Sequence, residues 1–500
     1  MAAFFIKFGF PLDVDRSQTF KSDQINHQSA KKFPQHVDYY IQEEIKHGAM
    51  LGPFSSPPIP LHTSPFLTRE KSGSENRRVI VDLSWPKGNS VNNAVNPSSY
   101  MGVEFLLTLP TIDQVTKAVK KFGRNSFIAK IDISRAFKHV PIDPGDIDLL
   151  GLHWHDFFIE KNLVFGFKFG SQIFERISNS IRFIMAQNGY YILDYIDDYL
   201  IFGNEVDCKR AFDRLTSLLQ ELGFTISVHK NVLPSQQVSC LGILVDTKNF
   251  TVSVPEDKLS DIMKLLDLWT DKTSCTKREF QSLLGSLLYI SKCVRYARFF
   301  LNRLLENLRT HANSKIITLD ENSYKDIAWF KKFVQVFNGT SFFLKKKVDK
   351  EVHLDACLKG IGATFNGFIY EAKIPGKFAH FDIAALEMLN ILVALRVWAD
   401  AWKNCTIEVH CDNLSVVTVL CSGKTKNSSL ATISRNIFMV ASRYDIFLKV
   451  SHIPGKENKI ADLLSRWDNS PSNILKLRNL LPSHNWVEIE ASHFELDDNI

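Results

Sequence analysis

The stretch "YILDYIDDYL" (191–200) sets two adjacent aspartates, Asp197 and Asp198, inside a run of Tyr, Ile and Leu. Those residue types favour a buried strand, and neighbouring carboxylates held there repel each other. Burial without a counter-charge costs several kcal/mol, so a divalent cation is the natural partner. The pattern reads as strand, tight turn, strand, with the acids at the tip. The plainer reading is an exposed hairpin whose acids keep it soluble. A third acid at the end of a neighbouring strand would complete a site for two metal ions. "NSFIAKID" (125–132) supplies one: Phe127, Ala129 and Ile131 share a strand face, and Asp132 stands at the end on the other.

Five hundred residues exceed what one hydrophobic core organises, so two or more domains are expected. The 45% hydrophobic and 23% charged content excludes a largely disordered chain. A formal charge of +6 suits a polyanionic partner, though many proteins without one are as basic. The eight cysteines show no CxxC or Cys/His spacing, which argues against a zinc finger or a disulfide framework and for a reducing compartment. "MAAFFIKFGF" is too short for a signal peptide, and no stretch reaches about 18 uncharged apolar residues. The expectation is a soluble cytoplasmic or nuclear protein with no membrane partner.

Along the chain, "GPFSSPPIP" (52–60) reads as an extended connector. Residues 61–235 alternate short β-type runs with helical segments, including an amphipathic helix over 208–224. Thr276 and Glu279 have capping-box spacing ahead of a helical region that runs on through Arg295, Arg298, Arg303 and Arg309. Those arginines form either a solvated face on a packed helix or a track for a nucleic-acid backbone. One helix is expected around "SYKDIAWFKKFVQVF", then a lysine-rich connection. From 351 the pattern is three hairpin strands, with Asn366-Gly367 as a turn, followed by strands alternating with helices. Asp382 is the expected cap of the helix over 381–402. The tail after 468 is polar and shows no clear pattern.

The motifs in 61–310 resemble, in order, a reverse transcriptase of the retrotransposon and retrovirus kind. "SPFLTREKSGSENRRVIVDLSWPKGNSVN" (64–92) resembles the fingers hairpin, with Lys71 and Arg78 matching the lysine and arginine that close on the incoming triphosphate. On spacing alone both would be surface charges. "KIDISRAFKHVPI" (130–142) resembles the first catalytic motif, with Asp132 as its metal ligand. Phe137 matches the bulky residue that shuts out a 2′-hydroxyl; out of context it would be core. "LVFGFKFGSQIFERI" (163–177) resembles the template- and nucleotide-contacting motif around Phe165 and Gly166, and lacks a proline common further along. "YIDD" (195–198) matches the catalytic pair, Asp194 falling outside it as a structural acid. Lys230 matches a lysine that acts as general acid toward pyrophosphate, and Leu241-Gly242 matches the primer grip.

Asp355, Glu387, Asp412 and Asp462 lie on four separate predicted elements, and singly each would be a surface or capping residue. Together "HLDAC", "ALEML", "HCDN" and "KIADLLSR" resemble the four carboxylate motifs of ribonuclease H. His452 matches that family's mobile histidine, accompanied by Asn458. The resemblance implies two-metal chemistry in both halves, with two Mg²⁺ per site and Mn²⁺ as a substitute. It also implies RNA template, DNA primer, dNTPs and RNA–DNA hybrid as partners, beside a recombinase or capsid-like protein of the same element.

The expected fold is an α+β right-hand polymerase followed by an α/β ribonuclease H-like domain. Its expected parts are an N-terminal extension (1–60), fingers and palm (61–235), primer grip and thumb (236–310), connection (311–350), ribonuclease H domain (351–467) and tail (468–500). Residues 40–142 and "SHIPGKENKIADLLSRW" are most similar to DIRS-type elements. Two rivals stand beside this reading. One is a domesticated, inactive nucleic-acid-binding subunit, against which the retention of every acid counts. The other is a DNA-templated polymerase with a proofreading nuclease, which the order of the acids disfavours.

Overall fold

The computed structural model describes residues 2–17, 24–70, 76–104, 107–293, 296–311, 313–337, 340–342, 347–422, 425 and 427–497. The chain divides into two compact units, Met1–Val238 and Ser239–Ile500.

In the first unit, helix α1 (Pro34–Lys46) precedes strand β1 (Met50–Phe54) and the hairpin of β2 (Phe66–Glu70) and β3 (Arg77–Val81). After a helix (Ile112–Phe122) come β4 (Phe127–Asp132), β5 (Gly151–Trp154), β6 (Asp156–Glu160) and helix α2 (Gly170–Gln187). The unit closes with β7 (Tyr191–Tyr195), β8 (Asp198–Gly203), helix α3 (Glu205–Glu221) and β9 (Val232–Ser235). The central sheet is antiparallel in the order β9-β4-β8-β7. Its apolar residues Ile131, Tyr199 and Ile201 share one core with Ile177 and Ile181 of α2 and Leu215 and Leu219 of α3.

Some features of this unit differ from the sequence expectation. The first three residues of the "GPFSSPPIP" connector are strand, because β1 pairs with β6 in a second sheet of order β1-β6-β5. The segment before it is also part of the core, where Phe10, Leu12, Val37 and Ile41 are buried among the central-sheet residues. Helix α3 begins three residues earlier than periodicity suggested, since the Asn204 side chain accepts from Asp207 N (2.9 Å) and Glu205 and Asp207 favour the first turn.

The second unit opens on short strands, a helix (Glu256–Leu268) and a further short strand, and goes on to helix α4 (Lys277–Ile290), α5 (Ala297–Thr310) and α6 (Glu321–Phe337). The expected capping box is present, Thr276 N donating to Glu279 Oε2 at 2.7 Å. The long helical run, however, breaks: Tyr296 takes a left-handed backbone (φ 63) and α5 starts afresh. Strands β10 (Lys350–Ala356), β11 (Gly360–Phe365) and β12 (Phe368–Lys373) follow, joined between β11 and β12 by the Asn366-Gly367 turn, both residues at positive φ. Helix α7 (Ile383–Trp402) is capped by Asp382, whose Oδ1 accepts from Ala385 N at 2.8 Å. Then come β13 (Thr406–Cys411), α8 (Leu414–Ser422), α9 (Ser428–Arg443), β14 (Phe447–His452) and α10 (Lys459–Ser465).

The six-stranded sheet has the order β14-β13-β10-β11-β12-β15, its last strand being β15 (Asn485–Trp486) from the tail. The polar tail is thus structured, with a helix (Pro471–Leu480), an edge strand parallel to β12, and Phe494 buried where Arg396 of α7 donates to His493 O. Helix α10 seats closely on the sheet because Gly362 has no side chain; a Cβ there would stand 2.4 Å from Leu464 Cβ.

Asp326 of α6 is fully buried and receives Arg303 of α5 (2.9 Å) and Arg435 of α9. Arg303 is therefore committed to an internal ion pair and is no free phosphate contact. Arg295 lies outside the described residues, and Arg309 is exposed beside Glu306. Among the described residues no helix is long and apolar enough to cross a membrane.

Candidate active sites

Pairing of β4 with β8 sets Asp132 directly opposite Asp198, and Tyr195 pairs with Asp198 on the other side. Ile196 closes the turn between them with φ 57, and Ile133 N donates to Asp197 O at 3.0 Å, so all three acids meet at one end of the sheet. Two lysines face them. Lys230 Nζ donates to both Asp132 oxygens (3.0 and 3.2 Å), and Lys130 Nζ lies 2.8 Å from Asp198 Oδ2. Burial pushes the Asp132 carboxyl up, but hydrogen bonds from Ser227 and Lys230 outweigh it and hold the group below its ordinary value. Burial raises Asp197, with the Asp132 charge adding to it. Burial likewise raises Asp198, against the Lys130 ammonium and with the push of the neighbouring carboxylates. Asp198 Oδ1 is buried and has no hydrogen-bond partner. An orphaned carboxylate oxygen beside two further hard oxygen donors fits a divalent cation.

The sequence reading missed Lys130, although it stands two residues before Asp132 and so on the same strand face. Asp194 is structural as expected: it is buried and paired with Arg182 at 2.9 Å.

The Phe137 ring packs 5.7 Å from both Phe165 and Phe174, and the Arg78 guanidinium sits 5.5 Å from the exposed Phe165 ring. Gly166 has φ +124, and a Cβ there would lie 2.7 Å from Val81 O. Asn92 ties this segment down, donating to Gly166 O and accepting from Lys168 N, each at 2.8 Å. Lys71 lies outside the described residues. Behind Phe137, Arg135 (φ 51) is held by Glu44 of α1, while Lys138 donates to the buried Glu160 at 2.7 Å, which also accepts from Tyr40. The segment carrying Phe137 is thus braced by α1.

In the second unit Leu241 and Gly242 form a turn at positive φ (52 and 81), and Tyr289 of α4 donates to Gly242 O.

The four acids of the second set converge. Asp355, Glu387, Asp412 and Asp462 line one cleft of about 1080 Å³ together with Ser465 and Arg466. Ser465 Oγ donates to Asp355 Oδ2, and Arg466 Nε donates to Asp462 Oδ1 at 2.9 Å. Cys411 Sγ donates to Glu387 Oε2 (3.2 Å) and Asn413 Nδ2 to Glu387 Oε1 (3.4 Å). Burial pushes the Asp355 carboxyl up to about 6, with Asp412 and Asp462 adding to the rise against the Ser465 hydrogen bond. Burial pushes Glu387 up to about 7, with the Asp412 and Asp355 charges adding to the rise against the Cys411 and Asn413 hydrogen bonds. Ligand atoms of Glu387, Cys411 and Asp412 lie within 4.8 Å of one another, and the Cys411 thiol is held neutral by burial, so the hard donors there are carboxylates. That set also fits a divalent cation.

His452 ends β14 in register with Cys411 and is exposed, outside the side chains that line the cleft. Gly455 of the following loop runs past the site, near enough that a Cβ would stand 3.1 Å from Asp412 Oδ2. Asn458 is buried and donates to Leu354 O at 2.7 Å, tying that loop to β10. Ser465 and Asn413 were not singled out from the sequence; the first follows Asp462 by three residues and the second follows Asp412 directly.

Comparison with known proteins agrees with both halves. Residues 71–245 match the model of the family described as reverse transcriptase (RNA-dependent DNA polymerase), and 372–468 match the one described as reverse transcriptase-like. The second match begins after Asp355, which the fold nevertheless brings to the other three acids. No curated protein matches the chain by sequence. Among solved structures, the foamy viral protease-reverse transcriptase dRH in complex with double-stranded DNA is similar over 88% of this chain and 73% of its own, at 16% identity and a TM-score of 0.53. The foamy viral protease-reverse transcriptase with double-stranded DNA gives 88% and 86% coverage, 16% identity and a TM-score of 0.52. The same protein with an RNA/DNA hybrid gives 88% and 56%, 15% and 0.51.

The chain carries a reverse transcriptase domain followed by a ribonuclease H-like domain, the make-up of a retroelement RNA-directed DNA polymerase with ribonuclease H. Its fold is that of a polymerase domain followed by a ribonuclease H-like domain. Both families use divalent metal ions.

Proposed function

We propose that this copy is catalytically competent in both halves. It would copy RNA into DNA at Asp132, Asp197 and Asp198, and hydrolyse the RNA of the resulting hybrid at Asp355, Glu387, Asp412 and Asp462. The observation that carries this reading is the pairing of Asp132 with Asp198 around an unpartnered, buried carboxylate oxygen. In this reading each triad or tetrad holds two Mg²⁺, replaceable by Mn²⁺. Such ions supply Lewis-acid activation of a hydroxyl or water and neutralise charge on the leaving group.

The remaining work falls to the chain's own side chains. Lys230, already bonded to Asp132, is placed to give a proton to departing pyrophosphate. Phe137, wedged between Phe165 and Phe174, forms the wall that a ribose 2′-hydroxyl would strike. Arg78, with Lys71, takes the triphosphate, and Phe165 and Gly166 contact the nucleotide and template. Leu241-Gly242 steadies the primer, held by Tyr289. The exposed His452 moves protons or releases product at the cleft rim. RNA template, DNA primer, dNTPs and RNA–DNA hybrid are the partners, with a recombinase or capsid-like protein of the same element. The domain boundaries given from sequence and the DIRS-type subclass belong to the same proposal.

The test is primer extension on an RNA template with dNTPs and Mg²⁺, in parallel with cleavage of a labelled RNA–DNA hybrid. Asp197→Asn/Asp198→Asn should lose only extension and Glu387→Gln only cleavage. A folded wild-type protein that binds hybrid and does neither would establish the inactive binding subunit instead.

A further inference from the structure

Strands β10 and β13 run parallel with Glu351, His353 and His410 on the sheet face that also carries Asp355, His353 and His410 being direct register partners. The two imidazoles stack at 4.4 Å between centroids, and His410 Nε2 lies 3.4 Å from Glu351 Oε2. The outer nitrogen of His410 is already committed. Ser451 Oγ lies 3.1 Å from His410 Nδ1, and the Ser451 hydroxyl is hydrogen-bonded to the Glu408 carboxylate. A hydroxyl that donates to Glu408 accepts from Nδ1–H, so in the neutral imidazole the lone pair is on Nε2. Nε2 is buried without a hydrogen-bond partner. The Nε2 atom of the neutral ring and a carboxylate oxygen thus face each other at 3.4 Å, a gap that a shared cation would bridge. Two ligands at bond lengths of about 2.0–2.1 Å around a tetrahedral ion stand roughly 3.4 Å apart, the separation observed. Ligand atoms of all three residues fall within 4.8 Å of one another, and Glu351 and His353 leave the place open to solvent.

We propose that Glu351, His353 and His410 form a site for a zinc-type divalent ion, separate from both carboxylate clusters, which clamps β10 to β13. The donor set sets it apart from them. Two imidazoles and one carboxylate favour Zn²⁺ and its transition-metal neighbours, whereas all-oxygen sets favour Mg²⁺. The Glu408–Ser451–His410 chain is the outer support such ligands use to fix the tautomer. The clamp joins the two strands just before Asp355 and Asp412, each two residues beyond a ligating histidine.

The experiment uses the full chain, with millimolar Mg²⁺ present to occupy the carboxylate clusters. After equilibration with Zn²⁺ and dialysis, metal analysis should find one equivalent retained. His353→Ala and His410→Ala should each abolish it, and Glu351→Gln, an exposed and conservative change, should weaken it about 10-fold or more. Glu387→Gln should leave it in place. Cu²⁺ bound in place of Zn²⁺ should give an electron paramagnetic resonance spectrum with nitrogen couplings from two imidazoles, lost in either histidine variant. No retained Zn²⁺ would reduce the cluster to an ion pair and overturn the proposal. Retention unchanged in the histidine variants, or lost in Glu387→Gln, would place the ion elsewhere and overturn it equally.

Discussion

Metal binding in the ribonuclease H cleft should compete with protons, because the two most buried acids hold theirs unusually tightly. Glu387 is pushed up to about 7 and Asp355 up to about 6, from ordinary values of 4.5 and 3.8. A cation needs both ionised. Near pH 6 about one Glu387 in eleven and half of Asp355 carry charge, and near pH 8 about nine-tenths and nearly all, so the competent fraction rises roughly 20-fold. The sign for folding is opposite. With both values raised, the folded metal-free protein holds more protons than the unfolded chain, so it loses stability as pH climbs from the ordinary carboxylate range through 6 to 7. Metal should therefore stabilise the protein most on the alkaline side of that window. The assay is Mn²⁺ binding by electron paramagnetic resonance near pH 6, 7 and 8, in a protein carrying Asp197→Asn and Asp198→Asn to weaken the other cluster. Glu387→Gln removes the larger contribution and should flatten the remaining pH dependence to about twofold. An affinity that changes less than about threefold across the range in the parent would refute the proton competition.

Three further outcomes are expected. Phe137→Ala should raise ribonucleotide incorporation by roughly 10- to 100-fold in single-nucleotide kinetics, as one lost wall of a pocket allows; unchanged discrimination would remove Phe137 from that role. Gly166→Ala places a Cβ 2.7 Å from Val81 O at φ +124, so primer extension should fall sharply and urea unfolding should show a loss of about 1–3 kcal/mol. Asp326→Asn leaves Arg303 and Arg435 without their buried counter-charge and should cost about 3–5 kcal/mol in the second unit, read by urea denaturation; a loss below about 1 kcal/mol would mean water already screens the pair.

Much of both sites was legible because their chemistry is local. Asp197 and Asp198 stand out as charges in an apolar strand, and the Asn366-Gly367 turn and the Asp382 and Thr276 caps are written in two to four residues. Missed features depend on partners distant in sequence. Lys130 meets Asp198 only once β4 pairs with β8, and Ser465 meets Asp355 only once α10 seats on Gly362. The break at Tyr296 interrupts a periodic run with no Gly or Pro to announce it. The tail looked featureless because β15 is two residues long and takes its order from β12. Arg303 shows the same limit from the other side: a helical arginine among aromatics looks like a surface charge until Asp326 is found beneath it.

The match to the polymerase family begins at residue 71, yet the core it belongs to also includes residues from before it. A protein begun there would lose Phe10, Leu12, Val37 and Ile41 from its core, and with α1 it would lose Glu44 behind Arg135 and Tyr40 over Glu160. The buried Glu160 and Lys138 would then face each other with one hydrogen bond fewer, directly behind the loop that bears Phe137. The setting of Phe137 would thus hang on a segment without a recognisable motif, and a truncation drawn at the edge of the family likeness would cut the keystone out of the arch.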